Sequence, residues 1–303
     1  GSMVLHHEFG HNISEVGEEY DGGDVYRGAN FSASGNVPWR KWAGDKVKVE
    51  KGEALSVIYP WKNLSSGPLS VDFKISGDQV LVVDLSSVGW ESAEDVEILI
   101  DGKPFAYEGI YTSDRSFFRL KDISGLSPGK HNLVIRDRNR DGDNVVAAVR
   151  VLAYPKDYDF TPEKVGAFPL FNSSGQFVGY RPTHESCLMR NMRYPHFCPV
   201  DQESIWHNLL RRISLIDGVE TSLSGETVTA SLQTPDLSGL SIAWYLIGEN
   251  QEKELTEFRD KKSWKADGLA GKEIIARVRF ATDEVRNVTG DFEDAIRFRA
   301  GGS

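Results

Sequence analysis

Between Lys46 and Tyr154 the chain alternates apolar and polar residues in short runs punctuated by turn residues. Residues 55–59, 69–75, 80–85, 96–100, 117–120, 133–135 and 145–152 read as strands, because a period of two sends every second side chain to the same face. Asp101-Gly102 and Asp141-Gly142 are hairpin signals within that stretch. Regularly spaced strands without a helical period predict a β-sandwich. A second strand-rich stretch follows residue 217, with runs at 227–232, 241–247 and 274–280. Trp244 lies in the middle run, where an immunoglobulin-like sandwich carries its core tryptophan.

Helical spacing is found elsewhere. Ile205, Leu209, Leu210 and Ile213 recur on one face of a predicted helix from Pro199 to Ile216, which Asp201 or Ser204 can cap. Residues 22–44 are glycine-rich and loop-like, ending in a cluster around Trp39 and Trp42 that either lines a cleft or packs as core and rim. From Tyr154 to about residue 186 the chain is Pro-rich and irregular. The expected fold class is therefore α+β and strand-dominated.

The 303 residues are enough for two or three domains. No apolar run reaches the roughly 18 residues of a membrane-spanning helix. A formal net charge of −10 argues against nucleic acid as a partner, since phosphate neutralisation requires clustered Lys and Arg.

The strongest chemical signal is His7-Glu8-Phe9-Gly10-His11, an HExxH motif. Residues four apart share a helix face, so His7 and His11 can offer both imidazoles to one zinc ion, with Glu8 as the general base that activates water for attack on a peptide carbonyl. The competing reading is a helix with two surface histidines. A catalytic zinc site needs a third protein ligand, and Glu18 is the first candidate, with Glu19 the alternative. On an unbroken helix Glu18 lies too far along the axis. A left-handed residue at Gly17 is expected to end the helix and turn the chain back.

His7 to Tyr20 resembles the signature of the M64 peptidases, IgA-peptidase-like zinc endopeptidases whose motif continues into an acidic pair and a tyrosine. A second block is similar to that family's second signature: Gly179-Tyr180-Arg181-Pro182, then Ser186-Cys187-Leu188-Met189-Arg190, then Phe197-Cys198-Pro199-Val200. Two departures stand out. The family's usual Asp-Glu pair is Glu18-Glu19 here, and Asp201 stands where a third cysteine is frequent. The resemblance implies a metzincin-like zinc-peptidase core, with Met189 on a tight turn forming an apolar floor beneath the metal. Because the two blocks flank the first strand-rich stretch, that stretch is expected to be an insertion. The expected domains are residues 1–45 (the HExxH part of the core), 46–155 (the inserted sandwich), 156–216 (the Met-turn and closing helix) and 217–303 (the Ig-like sandwich).

Tyr180 and Tyr194 are candidate oxyanion donors, Tyr194 being assigned with Glu8 to catalysis. His184 and His196 read as surface or structural. Cys187 and Cys198 are expected to form a disulfide in an oxidising compartment. The sequons at Asn30, Asn63, Asn172 and Asn287 point to secretion. Asp137 to Asp143 matches half of an EF-hand loop, but the twelfth position is Ala148 and strands flank it, so a polar hairpin turn is expected. Gly1-Ser2-Met3 reads as an expression remnant, and only Val4, Leu5 and His6 precede the motif. The sheet that normally precedes such a helix is therefore expected to be missing. Two functions follow: zinc-dependent hydrolysis of a protein or peptide, or non-catalytic binding of glycan or protein by the sandwiches on a degenerate peptidase scaffold.

Overall fold

The computed structural model describes residues 2–23, 27–112, 115–123, 125–249 and 251–302, so residues 24–26 of the expected loop lie outside the described residues. The chain divides into two compact units, Gly1–Asp201 and Gln202–Ser303.

The first unit opens with helix α1 (Ser2–Ser14) and the single turn α2 (Arg40–Ala43). The strands that follow are β1 (Glu53–Ile58), β2 (Lys62–Asn63), β3 (Leu69–Ile75), β4 (Gln79–Val88), β5 (Val96–Ile100), β6 (Lys103–Pro104), β7 (Glu108–Ile110), β8 (Ser116–Ile123), β9 (Gly129–Asp137) and β10 (Val145–Pro155). They form two antiparallel sheets, one ordered β1-β10-β4-β8-β7 with β2 also on β10, the other β3-β9-β5-β6. Alternation explains the pairing. Leu69, Val71, Phe73 and Ile75 of β3 and Leu133 and Ile135 of β9 face Leu81, Val83, Leu120, Val149 and Val151 across one dry core. Each such side chain contributes about 1.5–3 kcal/mol on burial. Asp101 and Gly102 both take positive φ (51° and 76°) in the two-residue β5–β6 turn, the conformation a tight hairpin requires.

The β1-β10-β4-β8-β7 sheet is covered on both faces. On β4 and β10 the residues that point away from the sandwich core, Val82, Leu152 and Tyr154, pack with Tyr158, Phe168 and Phe171 in a second cluster. This explains why both strands read as nearly continuous apolar runs. The partner layer includes an antiparallel hairpin, β11 (Val165–Phe171) and β12 (Phe177–Thr183). The irregular chain expected here is thus a correction: Pro169 and Pro182 disguised two strands whose pairing carries register shifts at both ends.

Helix α3 spans Pro199–Leu210 rather than continuing to Ile216, and Ile213 is exposed. The division between units falls within it, so the boundary expected at residue 216 moves back to Asp201/Gln202.

Among the described residues the second unit contains seven strands, β13 (Gly218–Ser224), β14 (Thr227–Gln233), β15 (Leu240–Ile247), β16 (Glu252–Glu254), β17 (Ser263–Asp267), β18 (Glu273–Phe280) and β19 (Glu293–Arg299). One sheet is ordered β13-β14-β17 and the other β16-β15-β18-β19, the interleaved order of an immunoglobulin-like sandwich. Trp244, on the third strand, is fully buried, meets Trp264 edge-on at 5.6 Å, and donates its indole N–H to the Lys261 carbonyl at 3.0 Å. The molecule is α+β and strand-dominated, with a β-sandwich in each unit.

Candidate metal centre

Helix α1 buries a narrow face made of His7, Gly10 and Ser14. Gly10 is there for space: a Cβ on it would lie 2.7 Å from the Phe197 ring and 3.1 Å from the Met189 sulfur. The Met189 side chain, fully buried, therefore presses on the helix between the two histidines. It is held by a tight turn in which Arg190 and Asn191 donate their N–H groups to the Cys187 carbonyl.

The helix ends through Glu15, which takes φ 55°, and not through Gly17 as expected. The side chain of Asn30 grips the turn that follows, accepting from Gly17 N (2.7 Å) and donating to Gly17 O (2.9 Å). Gly28 must be bare because a Cβ would strike the Glu15 carbonyl at 2.2 Å. Asn30 is itself buried and also donates to Glu19, so this sequon serves the fold and has no room for a glycan.

The reversal delivers Glu18 to both histidines. Its Oε1 lies 3.2 Å from His7 Nε2 and 3.1 Å from His11 Nε2, and the three donor atoms lie within 4.8 Å of one another. The far ring nitrogens are already committed: His7 Nδ1 is 3.3 Å from the Leu188 carbonyl and His11 Nδ1 is 2.8 Å from the Val16 carbonyl. A carbonyl only accepts, so each Nδ1 carries a proton and each Nε2 is turned toward Glu18. Three lone pairs converging on one point repel unless protons or a cation lie between them.

Geometry favours a cation. Donors about 2.0 Å from a tetrahedral zinc are about 3.3 Å apart, close to the separations seen. Glu18 Oε2 is buried without a hydrogen-bond partner. Burial opposes ionisation of Glu18, yet the contacts from His11 and His7 outweigh it and hold its pKa below the usual carboxylate value. The same contact raises His11. The residues present thus fit a zinc ion, held by His7, His11 and Glu18.

His7 and Glu18 line a cavity of about 820 Å³ whose wall also includes Glu8 and Tyr20. The sandwich of the first unit contributes Trp61, Phe117, Arg115 and Arg150 to the same lining. Arg115 lies over the Trp61 ring at 5.4 Å and Arg150 over the Tyr20 ring at 5.5 Å. Tyr194 does not line this cavity; Tyr20 is the tyrosine beside the ligands, its ring 6.5 Å from that of His7. Burial, with the neighbouring Glu18 charge, pushes its phenol pKa up and keeps it a donor. Its place directly after the acidic pair was the available signal. Trp39 packs into a core with Val16 and Met189, while exposed Trp61 takes the role of cleft aromatic. Tyr180 packs on Phe177, and His184 is buried and kept neutral by burial and by the Arg119 charge.

Sequence reasoning missed a buried ionic network beneath the cavity. Arg119 of β8 clamps Asp84 of β4 at 2.5 and 2.7 Å and reaches Glu185 at 2.8 Å. Arg190 contacts Asp21 at 2.8 Å, and Arg181 meets the other oxygen of Asp21 at 3.1 Å. Sandwich, post-helix loop and Met189 turn are thereby locked to one another.

Cys187 and Cys198 are two free, buried thiols, correcting the expected disulfide. Cys187 Sγ donates to Asp201 Oδ2 at 2.9 Å and accepts from Cys198 N at 3.3 Å, while Cys198 Sγ lies 4.0 Å from Glu19 Oε1. The Asp137–Asp143 segment is a polar turn bridged by Asn139 and Asn144.

No protein-family model and no curated protein matches the chain. Among solved structures, a GH2 beta-galacturonidase from Eisenbergiella tayi bound to glycerol is 15% identical, with a TM-score of 0.24, covering 84% of this chain and 43% of that one. The cycloisomaltooligosaccharide glucanotransferase of a Paenibacillus species, complexed with cycloisomaltoheptaose, is 10% identical at a TM-score of 0.20, covering 86% and 42%. The chain spans less than half the length of these structures.

Proposed function

We propose that the first unit carries a zinc-dependent endopeptidase site of the M64 type, with His7, His11 and Glu18 as ligands and Glu8 as general base. The observation that supports it most is the convergence of His7 Nε2 and His11 Nε2 on one Glu18 oxygen while both Nδ1 atoms are held by carbonyls. Zinc, when bound, supplies Lewis-acid activation of water and of the scissile carbonyl. Glu8, on the exposed side of the ligand helix and on the cavity wall, takes the proton from the attacking water and returns it to the leaving amine. Tyr20 orients Glu18 and, as an un-ionised phenol, can donate to the developing oxyanion. Trp61, Tyr59 and Phe117 give the substrate an apolar wall, and Arg115 gives it a cationic one. The substrate is a protein or peptide, and secretion fits the remaining sequons at Asn63, Asn172 and Asn287.

The test is cleavage of a mixed peptide library by the zinc-loaded protein, read by mass spectrometry, beside Glu8→Gln. The reading expects cleavage that falls by about 10²–10⁴-fold in Glu8→Gln while that variant keeps its zinc. Zinc binding with no cleavage of any peptide would instead favour the non-catalytic binding module.

A further inference from the structure

The two thiols absent from the expected disulfide belong to a second group of potential ligands. Glu19, Cys187, Cys198 and Asp201 each bring a donor atom to within 4.8 Å of the others, and all four residues are buried. They come from separate segments: the loop after α1, the turn that holds Met189, the residue before α3, and the first turn of α3. Cys198-Pro199-Val200-Asp201 has the two-residue spacer common in zinc half-sites.

The hydrogen bonding is incomplete in a way that points inward. Glu19 Oε2 and Asp201 Oδ1 are both buried with no hydrogen-bond partner, although these side chains are only 1% and 0% exposed. An oxygen stranded in this way costs about 1–3 kcal/mol, more when charged. The other oxygens are served, Glu19 Oε1 by Asn30 at 2.9 Å and Asp201 Oδ2 by Cys187 at 2.9 Å. Two sulfurs and two carboxyl groups thus converge, and each carboxyl keeps one oxygen without a hydrogen-bond partner. Burial and the neighbouring Asp201 carboxylate both oppose a negative charge on Glu19, and the guanidinium groups of Arg181 and Arg190 offset only part of this.

We propose that Glu19, Cys187, Cys198 and Asp201 form a second zinc site, structural rather than catalytic, adjoining the His7–His11–Glu18 centre. Four protein ligands leave no open position for water, which is the mark of a structural site. Binding displaces the thiol protons and leaves both sulfurs as thiolates. The ion would tie the loop carrying Glu18 to the turn carrying Met189. The backbone contact between Glu19 N and Met189 O, 3.0 Å, already joins those segments.

The experiment is elemental analysis of the full chain and of the double variant His7→Ala/His11→Ala, each stripped with chelator, reloaded with zinc chloride alone and desalted. Wild type is expected to hold two equivalents and the double variant one. Loaded with cobalt chloride instead, the double variant should show a sulfur-to-cobalt charge-transfer band in the near ultraviolet, lost in Cys187→Ser or Glu19→Gln on that background. A double variant that holds no metal, or that binds cobalt without the sulfur band, overturns the proposal. So does a wild-type protein whose two cysteines are found bridged. The reading of the first site fails separately: there, wild type and double variant would hold the same single equivalent. Should the double variant not fold, wild-type protein decides by thiol titration, since both cysteines must become reactive only as chelator removes zinc, and thiols that react equally before chelation contradict the site.

Discussion

His7 Nε2 and Glu18 Oε1 are 3.2 Å apart, whereas an unbroken helix would separate these positions by about 16 Å along its axis. The difference is made by the non-helical chain after Ser14, which Glu15 opens with φ 55° and which the Asn30 side chain clamps at Gly17. The convergence of His7, His11 and Glu18 is therefore a property of a loop, and the proposed zinc site should be sensitive to substitutions in that loop.

Glu15→Val puts a β-branched side chain at a left-handed position, where it is tolerated worse than the Glu15 it replaces, at an added cost of about 1 kcal/mol. The expected outcome is a lower melting temperature together with weaker zinc binding, followed by calorimetry. A stability loss with unchanged zinc affinity would separate the turn from the ligands.

Gly10→Ala drives a methyl group into the ring of Phe197 and the sulfur of Met189. Overpacking of this kind costs about 1–3 kcal/mol. Chemical denaturation should show the loss without a change in slope, and zinc affinity should fall because the two histidines ride on the displaced helix.

Asp84→Asn leaves the Arg119 guanidinium buried with Glu185 as its remaining carboxylate. Breaking one side of a buried ion pair typically costs 3–5 kcal/mol, or about that here. Asp84 is buried, which opposes its ionisation, but Arg119 and Arg190 hold its pKa far below the usual carboxylate range. Its contribution is present above the unfolded-state pKa and lost only in strong acid. The denaturation midpoint of the variant at neutral pH checks this.

His131 and Asp101 form a more exposed pair, 2.7 Å apart. The Asp101 contact raises His131 above its ordinary pKa, and the His131 contact lowers Asp101. Stability from the raised histidine is complete below its unfolded pKa of about 6.5 and is lost as pH rises through the folded value. Stability from the lowered aspartate is present above about 3.9 and is lost as pH falls through its folded value. The pair should therefore stabilise between those limits, by under about 1 kcal/mol given its exposure. Melting temperature of His131→Gln minus wild type, measured across pH, should be most negative inside that window and shrink toward alkaline pH.

What the sequence disclosed and what it hid follow from range. Leu69–Ile75 was legible to the residue because its period is local and one face is buried, and Val96–Ile100 because it is a short apolar run ending at a hairpin signal. His7 and His11 were legible because four residues on a helix is also a local relation. The β11–β12 hairpin was hidden because prolines broke its pattern, and the Asp84–Arg119–Glu185 network because its members are 35 and 66 positions apart and each alone reads as a surface charge. The cysteines illustrate the limit from the other side. Their spacing allowed a bridge, and only the three-dimensional approach of Asp201 and Glu19 gives each sulfur another partner.

The most direct measurement is an anomalous difference map across the zinc absorption edge, from crystals of zinc-loaded protein at neutral pH. The account predicts a peak at about 2.0–2.2 Å from His7 Nε2, His11 Nε2 and a Glu18 oxygen, with an open fourth position facing the cavity. A map in which the two histidines and Glu18 stay in hydrogen-bonding contact with no peak between them would contradict it.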